Sequence, residues 1–283
     1  MSGALIVARY ALREAVRRRV ILVVLLLTVC FLALYALGCA VTFDEVEDFA
    51  VEDELDDRVL AGSTLLGLSM FTTLFLGAVL AVFLTLGAVR GDAERGLLQP
   101  LVVRPVGRTS LLAGRFGGAA AVCAAYVAFV YGAAVLITGI AGDWWPDDWF
   151  GPGLGLVVAV VVIAAISLLG SVYLSSTANG IAVFMLFGAG LAAGLLGQIG
   201  DALAVETLEN VAKVASWLLP FEALYQEGLH GLTAETSGLT GVIVQLGPFG
   251  GAQEAGAGLW VWTIAYLALV AAWARVAFAR RDL

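Results

Sequence analysis

The chain of 283 residues is 61% hydrophobic and only 13% charged, with a formal net charge of −8 and a mean hydropathy of +0.98. Soluble domains are roughly half apolar and about a quarter charged, so this composition excludes an ordinary soluble fold and equally excludes disorder. A bilayer core takes about 20 apolar residues per helix. The chain therefore reads as an all-α, polytopic membrane protein.

From the N-terminus, Arg9, Arg13 and Arg17 recur every four residues while Leu5, Leu12 and Val16 occupy the neighbouring face. That period predicts an in-plane amphipathic helix over 1–19, resting on anionic headgroups. A plain basic flank would supply the charges without the period. The rest, 20–283, reads as one transmembrane domain with six apolar runs at 20–43, 60–89, 117–141, 153–175, 181–199 and 257–278. The first run follows a long basic segment and lacks a small-x-small cleavage site, so it is expected to remain as a helix.

Six spans put both termini on one side. Thirteen basic residues fall there against Glu14, Asp92, Glu94 and Asp282, whereas the other side holds Arg58 and Lys213 against all remaining acids. The arginine-rich side, with both termini, is therefore expected in the cytoplasm, and the chain in the plasma (cytoplasmic) membrane. Nine carboxylates crowd residues 44–57. They form either a cation-binding loop or a solvated acidic face, and no D-x-[DN]-x-[DN]-G calcium spacing supports the first. Trp144, Trp145 and Trp149 follow the third run, where tryptophans anchor helix ends at headgroups.

The fifth run carries Gly190-x-x-x-Gly194, a spacing that lets two helices approach closely. It fits a homodimer seam or packing against a neighbour in the same chain. Beyond it, 200–256 is expected outside. There Ala204, Leu208, Val211, Ala215 and Leu218 form a helical stripe that predicts an amphipathic helix on the outer surface. Pro220 ends that helix, and Phe221, Leu224, Tyr225 and Leu229 predict a second short one.

What is missing narrows the chemistry. Lys213, preceded by Ala212, is the single lysine, so no Gly-Lys phosphate-binding loop exists and ATP-driven work would need another polypeptide. The single histidine, His230, reads as a surface residue, and no metal site is expected. Cys30, Cys39 and Cys123 have no CxxC spacing and read as small buried hydrophobes. No Asp, Glu, Lys, Arg or His occurs inside the six spans until Arg275, which can snorkel from the last turn. Such residues mark proton relays and intramembrane enzymes, so their absence argues against both and favours an apolar or lipid-like cargo over a free ion.

The loop after the second run contains Asp92 as a helix cap and Glu94 in the first turn that follows. A short charged helix between two spans can be pushed from one side, although an ordinary connecting loop would look similar. In this loop Glu94, Gly96, Leu97, Leu98, Arg104, Pro105, Arg108, Gly114, Arg115 and Phe116 match a pattern found in type-2 ABC exporter permeases. The basic N-terminus, six spans, Leu219-Pro220 break and C-terminal Arg280-Arg281 extend the similarity over most of the chain. The sequence resembles that family, and within it the NosY-like permeases of nitrous-oxide reductase maturation.

The resemblance implies a permease without its own ATPase site. It implies a cytoplasmic ABC ATPase subunit carrying ATP and Mg, a second permease copy and surrounding lipid as partners, with no nucleic acid. Asp92, Glu94, Arg95, Gly96, Arg104, Pro105 and Arg108 would then couple to the ATPase, with the 1–19 helix as a second contact. Two departures stand out: Pro100 interrupts a stretch that relatives keep helical, and Arg115 replaces the usual lysine. The competing reading is a membrane scaffold or carrier that works without ATP.

Overall fold

The computed structural model describes residues 19–48, 57–86, 108–146, 148–233 and 256–280, and among them no strand occurs. The elements are α1 (Arg19–Asp48), α2 (Asp57–Thr85), α3 (Arg108–Gly142), α4 (Phe150–Tyr173), α5 (Ser176–Leu203), α6 (Glu206–Leu218), α7 (Pro220–Thr233) and α8 (Gly256–Ala279). Six of these, α1 to α5 and α8, are long and apolar enough to cross a membrane. All six expected spans are present. The third starts at Arg108 rather than 117, because Leu111, Leu112 and Phe116 pack against α4 and α8 and extend the helix through its arginines.

The spans alternate in direction. One end of the bundle gathers Arg115, Arg275 and Arg280, and the other gathers Asp44, Glu45, Asp57 and Asp143; these are called the basic and acidic ends below. The core is built on α2 and α4, whose Leu66, Met70, Leu74, Leu156, Val160 and Ile163 are essentially inaccessible. Glycine allows their close approach: a Cβ on Gly77 would stand 2.7 Å from a Val160 methyl.

α1 is held differently. It presents Leu22, Leu26, Val29, Leu34 and Leu37 outward and is pinned to α3 by two hydroxyl pairs, Thr28 to Tyr126 and Tyr35 to Thr138, each 2.6 Å. Cys39 and Cys123 are buried as expected, but Cys30 lies exposed on that outward face, surrounded by other apolar side chains.

At the acidic end, Asp148 Oδ1 accepts the Phe150 and Gly151 amides at 3.0 and 2.9 Å, satisfying two of the free donors that open α4. Trp144 lies over Gly62 of α2, where any Cβ would strike the indole, while Trp145 and Trp149 are exposed.

After α5 the chain does not run along a surface. Ala204 adopts a left-handed φ of +52°, a conformation costly for a residue with a Cβ. The amide of Val205 then closes on the Gly200 carbonyl at 2.9 Å. This reversal lays α6 back along α5, Leu219-Pro220 breaks the descent, and α7 turns back to pack on α4. The expected surface helix is one arm of a hairpin folded against the bundle.

Candidate functional site

Two regions bear on function, one near each end of the bundle. At the basic end, α2 closes with Thr85, whose hydroxyl donates to the Ser167 hydroxyl of α4 at 2.7 Å. The Ser167 carbonyl in turn accepts the amide nitrogen of Asn179, at the start of α5, at 2.9 Å. Ser167 and Asn179 are both fully buried, and Gly170 is required beneath Asn179 because any Cβ would collide with the amide oxygen. Leu86, the residue after α2, contacts the Gly180 position. The end of α2, where the expected coupling loop begins, is thus bonded into the α4–α5 turn.

The expected coupling residues Asp92, Glu94, Arg95, Gly96, Arg104 and Pro105 lie outside the described residues, as do Arg9, Arg13 and Arg17 of the expected interfacial helix. Arg108 is the first residue of α3.

The second region is the α6–α7 hairpin. Gly190, Gly194, Gly197 and Gly200 line the face of α5 that receives it. Counting 13 residues from Gly190 to the end of α5 at about 1.5 Å each places the hairpin tip roughly 20 Å in from the acidic end. A Cβ on Gly197 would stand 2.8 Å from that of Ala212, and one on Gly190 would stand 2.6 Å from the Phe221 ring. Both glycines of the Gly190-x-x-x-Gly194 motif therefore face α7 of the same chain, which is the intrachain alternative for that spacing.

The close fit also changes which face of α6 is inward. Ala212 and Ala215 are turned toward α5, and Val211, Val214, Trp217 and Leu218 point outward. The predicted stripe of Ala204, Leu208, Val211, Ala215 and Leu218 is thus divided, with Val211 and Leu218 turned away from the bundle. The glycine face of α5 receives Leu208 at Gly200 and Ala212 at Gly197.

At the tip, Phe221 stacks on Phe187 of α5 with ring centroids 5.7 Å apart. The next residue, Glu222, is 6% exposed, its carboxylate set against Gly194. Its Oε1 has no hydrogen-bond partner among the described residues. Burial pushes the carboxyl up to about 7, and a hydrogen bond from Gln226 only partly opposes this. Gln226 also accepts from Gln198 of α5 at 3.1 Å. The observed helices reach past the predicted apolar runs to take in Arg58 and Arg115 near their ends, and the hairpin brings a carboxyl into the bundle from outside those runs. Pro220 at the first helical position with Glu222 two residues on is a helix-start signal, but only the glycine row of α5 could have indicated that this helix packs inward.

α8 braces the hairpin. Trp262 donates to the Trp217 carbonyl at 3.0 Å and Trp260 to Glu227 at 3.2 Å. His230 is half-buried and lines a cavity of about 480 Å³ with Asp148, Glu227 and Trp260. No group of three His, Cys, Asp or Glu among the described residues is placed to hold a metal ion.

No curated protein matches the chain significantly. Residues 5–283 match the family described as ABC-2 family transporter protein, a match to the family as a whole that does not single out the NosY-like permeases. An all-helical bundle of six long apolar helices, matched over nearly its whole length, makes this chain a multi-pass membrane permease of the ABC-2 transporter family.

Proposed function

We propose that the chain is the membrane subunit of an exporter or extractor of small or amphiphilic substrates in the plasma membrane. A separate cytoplasmic ATPase subunit binds and hydrolyses ATP with Mg, and a second permease copy completes the pore. The observation that carries the reading is the family match over 5–283. The absence of any Gly-Lys phosphate loop supports assigning ATP hydrolysis to a partner.

In this reading the ATPase grips the 87–107 loop at Glu94, with Arg95, Gly96, Arg104, Pro105 and Arg108 shaping the contact and the 1–19 helix adding a second one. Motion imposed on the end of α2 passes through Thr85, Ser167 and Asn179 to α5. From α5 it reaches the hairpin through the Gly190 and Gly194 contacts with Phe221 and Glu222. Coupling then consists of two packings of these helices, biased by nucleotide on the partner.

The test is purification from native membranes in mild detergent, comparing wild type with Glu94→Arg. A stoichiometric ATPase that is recovered with wild type and lost with the variant supports the reading. Recovery of the permease alone, even after cross-linking, replaces it with the scaffold or uncoupled carrier.

A further inference from the structure

A groove of about 380 Å³ opens at the basic end between α3, α4 and α8. Its floor is a small apolar cluster separate from the main core, in which Leu112, Leu168 and Ala274 are buried. Its walls include Phe116 and Leu267, and among the described residues its polar side chains are Thr109 and Arg275. Both polar residues sit near helix ends on the basic side, Thr109 in the first turn of α3 and Arg275 in the last turns of α8. The groove is thus apolar along its length and cationic at one mouth.

Its length identifies what fits. From Leu267 to Arg275 the helix rises about 12 Å, close to the roughly 15 Å of hydrocarbon in one bilayer leaflet. Arg275 is exposed and has no hydrogen bond or ion pair among the described residues. Arg280 lies exposed beyond it, and the described residues place no carboxylate at this end. A guanidinium at the mouth of a leaflet-deep apolar slot, with no carboxylate beside it among the described residues, suits a phosphate headgroup with its tail in the slot.

We propose that this groove is a binding site for one acyl chain of an anionic phospholipid, with Arg275 and Thr109 at the headgroup. The site is independent of the transport reading. It orders the junction of α3, α4 and α8 beside the point where the 87–107 segment re-enters the bundle.

The test uses full-length protein, delipidated in detergent and titrated with phosphatidylglycerol or phosphatidylcholine, with bound lipid counted by native mass spectrometry. Wild type is expected to retain phosphatidylglycerol in preference to phosphatidylcholine. Arg275→Gln should weaken that retention about fivefold, equivalent to the roughly 1 kcal/mol that one arginine contributes at an anionic surface. Arg275→Lys should restore most of it, and Ala271→Phe, at an exposed position on the groove wall, should abolish it by filling the slot. Equal retention of both lipids, or unchanged phosphatidylglycerol binding in Ala271→Phe, overturns the proposal. So does phosphatidylglycerol with a photoreactive acyl chain that, in the wild-type protein, cross-links elsewhere than to the residues of α3, α4 and α8 that line the groove.

Discussion

Replacing Glu222 by glutamine isolates the energetic cost of a carboxyl where α7 meets α5. The side chain is 6% exposed, and burial raises it from 4.5 to about 7, with Gln226 partly opposing. Tyr225, three residues on, is raised by burial and by the Glu222 charge itself, so the neighbouring ionisable group does not relieve it. A carboxyl raised on folding is protonated in both states below about pH 4.5, and there its burial costs nothing electrostatic. Between about 4.5 and 7 the unfolded chain has lost the proton while the folded chain keeps it, so stability falls as pH rises. Above about 7 the full penalty is in place. At about 1.4 kcal/mol per unit this amounts to about 3 kcal/mol. Tryptophan fluorescence during thermal unfolding in mild detergent, from pH 5 to 8, should show wild type losing stability across that range. Glu222→Gln, nearly isosteric and uncharged, should flatten the profile and exceed wild type at pH 8. An equal slope in both proteins would refute the assignment of the penalty to Glu222, and wild-type stability that rises with pH only in the presence of Glu222 would reverse its sign.

Three further substitutions test the packing. Gly194→Leu drives a side chain into the Glu222 carboxylate and should cost about 1–3 kcal/mol, whereas Gly188→Leu, with open space around it, should be nearly neutral in the same melts. Thr28→Val and Tyr126→Phe each break one α1–α3 hydroxyl pair; a double-mutant cycle should return a coupling of about 0.6–2 kcal/mol, and zero coupling would remove that bond from the account of how α1 is held. Asn179→Ala leaves the Ser167 carbonyl without its amide donor and should cost about 1–3 kcal/mol. In the assembled transporter that variant should also lower substrate-stimulated ATPase activity more than basal activity.

The spans were legible because each is a long apolar run, and length with composition is enough to define a membrane helix. The start of α3 was not, because Arg108 and Arg115 mark a boundary by charge while Leu111, Leu112 and Phe116 continue the helix by packing. The hairpin failed for a different reason. Its stripe joins Leu208, which packs on Gly200, to Val211 and Leu218, which are exposed, because a helix in apolar surroundings need not turn all its large apolar residues toward the protein. What decides the inward face is the partner surface, and the glycines of α5 match Ala212 rather than Val211. Glu222 stayed hidden for the same reason: its burial depends on where α7 docks. The expected coupling role of residues 92–108 rests on a motif alone, and of the residues named there only Arg108 falls within a described element.

The distribution of burial bears on which parts can move. In α2 and α4, 67% and 56% of the membrane window is buried, against 17% in α1 and α8 and 22% in α5. The helix that precedes residues 87–107 is therefore the most deeply embedded of the six, and α2 cannot slide past its neighbours without breaking the core. The softer attachments lie around it: α1 on two hydroxyl pairs, and α5 with its hairpin on small-residue contacts. Small-residue faces carry little side-chain interlock and tolerate rotation and sliding better than interdigitated leucines. In the proposed function, such a layout would let the periphery shift against the α2–α4 core. At the basic end the Thr85–Ser167 bond ties the two core helices to each other, and the Ser167–Asn179 bond fastens that core to the first turn of α5, so any displacement of α5 relative to the core must strain or break the second bond before the first.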